Sequence, residues 1–116
     1  MARYLISFDD GAMDFIPEEE RPAVAEAAHA VVRDLQDAGV WVFAGGVYSH
    51  DEVSAKVVGP DGTVTDGAES KAYIAGVTII DVPSLEEALR WAAKIAAACR
   101  CAQEVREFMP DPAVGN

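Results

Sequence analysis

The segment Tyr73-Ile74-Ala75-Gly76-Val77-Thr78-Ile79-Ile80 constrains the fold more than any other. It is rich in β-branched residues and carries apolar side chains at both parities. Successive side chains of a strand point to opposite faces of the sheet, so a strand covered on one face needs apolar residues only at alternate positions. Apolar residues at both parities call for cover on both faces. The chain offers two helical segments, enough to cover one face. The simplest cover for the other face is the sheet of a second copy, and the sequence therefore predicts a homodimer.

The other elements follow in order. Tyr4 to Phe8 reads as strand one, closed by Asp9-Asp10-Gly11. Ala12 to Ile16 is a connector. Pro17, three glutamates and Pro22 open helix one, since proline and acidic residues suit a first helical turn. The helix runs to Ala38 with Val24, Ala28, Val31, Leu35 and Ala38 on one apolar face, and Gly39 ends it. Val40 to Phe43 is strand two, closed by Gly45-Gly46. Val53 to Val58 is strand three, and the turn Gly59-Pro60-Asp61-Gly62 returns the chain along Thr63 to Thr65. Ala72 to Val82 is the long strand. Helix two opens with a capping box, Ser84 with Glu87, and is expected to bury Leu85, Ala88, Leu89, Ala92 and Ile95. Gln103 to Phe108 is the last strand. The layout is α+β: a ferredoxin-like, mainly antiparallel sheet with two helices on one face. Residues 1–110 make a single domain and 111–116 a C-terminal tail.

Composition narrows the function. Twenty acidic against nine basic residues give a net charge of −11. Phosphate binding needs clustered Lys and Arg, so neither nucleic acid nor an anionic membrane surface is an expected partner. No apolar run approaches the roughly 20 residues of a membrane span. The N-terminus enters a strand pattern without a basic and then apolar leader, which predicts a cytoplasmic protein. The only cysteines, Cys99 and Cys101, are too few for a disulfide framework or a four-ligand zinc site and read as reduced, structural residues. His50 stands on a polar loop beside Asp51 and Glu52, either solvated or at a pocket mouth. Neither histidine has the close spacing to another ligand that a metal site favours.

Several motifs carry a family resemblance. Thr65-Asp66-Gly67-Ala68-Glu69-Ser70-Lys71 resembles the signature of the YCII-related family in its DGPF branch, where an Asp-Gly-Pro-Phe turn precedes Ala-Glu-Thr-Lys-Glu. This chain lacks the Pro-Phe pair, which removes an aromatic wall and with it any simple transfer of substrate. Ala75-Gly76-Val77-Thr78-Ile79-Ile80-Asp81-Val82 is similar to the family's glycine-containing strand, and Ser84 to Ala92 to its second helix. Glu104-Val105-Arg106 followed by Met109-Pro110 is similar to its terminal strand. Together the motifs span nearly the whole chain.

The resemblance implies a ferredoxin-like unit that pairs sheet to sheet as a dimeric α/β barrel. It also implies a site built around a histidine and an aspartate. The matching positions are His29 in helix one and Asp10 at the end of strand one, with Asp9 as the alternative. A carboxylate that fixes an imidazole suits it to general acid–base work, such as elimination or isomerisation of a small polar or aromatic molecule. Asp66, Glu69 and Lys71 of the signature would form either a substrate-binding rim or a turn with an exposed ion pair. No cofactor or metal is required. The alternative is a non-catalytic dimeric module that binds a metabolite or acts in regulation.

Overall fold

A computed structural model describes residues 1–68 and 71–116. Its elements are β1 (Ala2–Asp9), α1 (Arg21–Asp37), β2 (Trp41–Gly46), β3 (Lys56–Val58), β4 (Val64–Asp66), β5 (Ile74–Val82), α2 (Leu85–Cys99) and β6 (Glu104–Glu107). Four strands form one antiparallel sheet in the order β2-β5-β1-β6, so the first strand is central and pairs with both late ones. That order and the two helices agree with the expected ferredoxin-like α+β layout. Strands β3 and β4 pair only with each other, as a separate hairpin.

The core lies between the sheet and the two helices. Tyr4 and Ile6 of β1 stand opposite Ile80 and Thr78 of β5, and Tyr4, Ile6, Ile80 and Val82 are buried under Leu35 of α1 and Ala88, Ala92 and Ile95 of α2. The other parity, Leu5, Val77 and Ile79, is only half-buried, with Phe43 exposed beside it in register with Ile79. On this open face Arg3 Nε and Nη2 each donate to a different oxygen of Asp81, at 2.8 Å, tying β1 to β5. The two-faced apolar pattern of the long strand is thus present, with one face covered.

Local chemistry sets the helix ends. At the exit of α1, Gly39 has φ +73, Gly39 N–H donates to Gln36 O and Val40 N–H to Leu35 O. This bond pair closes a helix on a left-handed residue. Ser84 Oγ accepts from Glu87 N–H at 3.3 Å, the expected N-cap of α2. Helix α2 ends on Arg100, the one non-glycine residue with positive φ among those described, and Arg100 Nη1 donates to Glu20 Oε1 at 2.7 Å.

Four expectations need correction. Glu18–Glu20 form a 3₁₀ turn, and α1 proper begins at Arg21. Pro22 lacks the N–H that would continue the earlier turn into the helix. Strand three is only Lys56–Val58, because Glu52 N–H and Val53 N–H both donate to Ser49 O and fold 49–53 into a turn. Leu85 and Leu89 are about half exposed, and Cys99 joins the buried face instead. Small Ala88 and Ala92 approach the sheet directly, whereas Leu85 and Leu89 sit about 60–100° round the helix from that line. Ala38, placed on the apolar face of α1, is exposed beyond the last helical turn.

Candidate functional site

Small side chains on facing elements leave a gap in the packed layer. Gly45 and Gly46 end β2, Gly76 lies inside β5, and Ala25 and Ala28 occupy the side of α1 that looks toward them. The result is a cavity of about 650 Å³, within the range of small-molecule sites. Phe8, Gly76 and Thr78 line its floor, and Ile95 and Cys99 of α2 close one end. The Phe8 ring covers Gly76, its partner across the β1–β5 ladder, closely enough that a Cβ there would overlap the ring.

The wall is mainly apolar. Asp14, Arg21 and His29 line it while remaining exposed, which puts them at the mouth. Gln103 is a fourth polar group there. Cys99 is buried, and burial pushes its thiol above the ordinary cysteine range. It is held protonated, a packing residue rather than a nucleophile.

His29 therefore stands beside a cavity, on α1, as an accessible imidazole. Its expected partner is engaged elsewhere. Asp10 Oδ2 accepts from His50 N–H at 2.9 Å and from Ser49 Oγ at 3.3 Å, and Asp10 N–H donates to Tyr73 O at 2.6 Å. Asp9 is exposed and lines a second, smaller cavity with Phe15 and Cys101. No hydrogen bond joins His29 to Asp9 or Asp10 among the described residues. Asp10, expected beside His29, is instead bonded to the loop that carries His50.

His50 is the better fixed histidine. Its Nδ1 accepts from Ala55 N–H at 2.8 Å and its ring stacks on Tyr73 with centroids 4.6 Å apart. An Nδ1 that accepts a backbone N–H is unprotonated, so the neutral ring carries its proton on Nε2.

Of the signature residues, Asp66 pairs with Lys56, and that lysine holds the carboxyl below the usual carboxylate range. Lys71 Nζ lies 5.4 Å from the Tyr73 ring centre. Neither residue lines the large cavity. Glu69 lies outside the described residues. Among those described, no group of three or more His, Cys, Asp or Glu is placed to hold a metal ion, and no helix is long and apolar enough to cross a membrane.

Sequence reasoning missed Arg21, Asp14 and the cavity itself. One signal was available. Arg21, Ala25, Ala28 and His29 lie on one side of a helix at 3.6-residue spacing, and two of the four are alanine opposite a strand glycine.

Comparison with known families finds the YCII-related domain over residues 2–110. Comparison with curated proteins gives no match.

Proposed function

The chain belongs to the YCII-related domain family, and on that premise we propose that it is a homodimer that binds a small, largely apolar molecule between α1 and the sheet. In this reading His29 moves a proton on the bound molecule, in an elimination or an isomerisation. The observation that carries it is the 650 Å³ apolar cavity with one accessible imidazole at its mouth. Arg21 beside it offers a positive charge to a polar or anionic end of the ligand.

Surface area supports the homodimer. The chain exposes 7681 Å², whereas a monomeric protein of this mass exposes about 6,100 Å². The excess on one chain, about 1,600 Å², exceeds the roughly 800 Å² that each partner loses in a standard stable interface. The radius of gyration is 15.7 Å against about 13 Å for a compact chain of this length. The open face with Leu5, Val77, Ile79 and Phe43 is the natural interface, sheet against sheet.

The acid–base reading is tested by solvent exchange. Candidate small molecules are first screened by thermal shift, and binders are incubated with the protein in D₂O and followed by proton NMR. Carbon-bound hydrogen of a true substrate exchanges, and His29→Ala abolishes the exchange while the fold persists. One observation favours the second reading, a non-catalytic binding module: Asp10 is occupied by Ser49 and His50, and among the described residues no carboxylate is hydrogen-bonded to His29. Binding without exchange in the wild-type protein selects that reading. Absence of any binder rejects both.

A further inference from the structure

Among the described residues, no other strand or helix covers the β3–β4 hairpin within one copy of the chain. Each strand has three residues, all six are exposed, and they pair only with each other. An isolated two-stranded hairpin is marginal in water. This one also presents apolar side chains to solvent on both faces. Val58 stands opposite Val64 on one face, at 64% and 59% exposure, and Val57 lies on the other. Eight of the fourteen large apolar side chains left exposed among the described residues fall between Phe43 and Ile74, a segment of about a quarter of the chain. Scattered exposed apolar residues are normal, but a concentration of them marks an interaction surface.

The base of the hairpin is fixed. Gly67 N–H donates to Ala55 O at 2.8 Å, Ala55 N–H to His50 Nδ1 at 2.8 Å, and the Tyr73 hydroxyl to Ala68 O at 2.9 Å. Gly67 packs so closely on Tyr73 that a Cβ there would overlap the hydroxyl. The loop bonds of Asp10 to Ser49 and His50 hold the same base from the β1 side. An aimed, preformed arm with apolar strands loses little freedom on docking.

We propose that this hairpin is the docking arm of the homodimer, with Val58 and Val64 packing against the second copy. The inference rests on the homodimer reading. The occupant is a second copy because the segments that flank the hairpin keep exposed apolar residues, Ile74 and Val47, up to Phe43 at the open sheet face, and because one chain exposes more excess surface than each partner of a standard dimer loses.

The test is sedimentation equilibrium by analytical ultracentrifugation on the full chain and on Val58→Thr/Val64→Thr, with Leu89→Thr as a control for an exposed apolar residue outside the arm. Threonine keeps the shape and strand preference of valine. The double variant should weaken dimerisation at least tenfold with an unchanged far-ultraviolet spectrum, and Leu89→Thr should leave it unchanged. On dilution, the amide protons of Val57 and Thr65, which face each other across the ladder, should lose exchange protection in step with the dimer. A wild-type chain that stays monomeric overturns the homodimer and the arm together. A wild-type dimer whose affinity survives the double substitution overturns the arm alone.

Discussion

Replacing Gly76 with alanine puts a methyl group into the Phe8 ring. The new Cβ would lie 2.6 Å from Phe8 Cζ and closer still to Cε1, so the ring must turn away. Overpacking of this kind costs about 1–3 kcal/mol, and we expect the lower part, about 1–2 kcal/mol, because the cavity beside Phe8 gives the ring somewhere to go. Unfolding entropy scales to about 0.24 kcal/mol/K for a chain of this length, so the melting temperature should fall by about 4–8 °C. The assay is thermal and urea unfolding of wild type, Gly76→Ala, Phe8→Ala and the double variant, all at one protein concentration so that association does not confound the comparison. In the Phe8→Ala background the clash is absent, and alanine should be better than glycine in a strand interior by about 0.5–1 kcal/mol. The effect of Gly76→Ala thus changes sign, a coupling of about 1.5–3 kcal/mol. A neutral or stabilising Gly76→Ala, or the same cost in both backgrounds, would refute the argument.

Other perturbations follow from single contacts. Arg100→Gly should stabilise the protein by about 0.5–1 kcal/mol in urea unfolding, because a left-handed conformation costs an ordinary residue about 1–2 kcal/mol and the exposed pair with Glu20 returns at most about 1 kcal/mol. Ser84→Ala should cost about 1 kcal/mol by removing the acceptor for Glu87 N–H. Hydrogen bonding from Arg3 depresses the Asp81 carboxyl, so its stabilising effect is complete above the ordinary unfolded value of about 3.9. That effect drains away as pH falls through the lower folded value. The stability gap between wild type and Asp81→Asn should therefore be flat above about pH 5 and close below about pH 4, as read by denaturation at each pH.

The fold was legible where local chemistry and burial agree. Ser84 with Glu87, Gly39 after Ala38, and the stripe of Val24 and Leu35 each specify a helix end or face through near neighbours, and the structure keeps them. The hairpin was legible as strands but not as a separate sheet. Whether Lys56–Val58 joins the edge at β2 depends on hydrogen-bond partners distant in sequence, which its valines do not encode. Asp10 shows the same limit at the site. A carboxylate at a strand end has several donors within reach, and the turn at 49–53 brings Ser49 and the His50 amide to it. The cavity left only a faint trace, because space is signalled by small residues on two elements whose facing positions are known only after they pack.

The central place of β1 has a consequence for how the protein is made. Residues 2–9 are translated well before their ladder partners, residues 74–82 and 104–107. At about 5–20 residues per second, the strand waits several seconds before its first partner has even been synthesised. Until then Tyr4, Leu5, Ile6 and Phe8 are an apolar segment without ladder partners, and an unpaired strand sequence is a template for pairing with another chain. Asp9, Asp10 and Asp14, with the glutamates at 18–20, follow it directly. A block of like charge beside an apolar segment opposes its association with a second copy while the sheet is still incomplete.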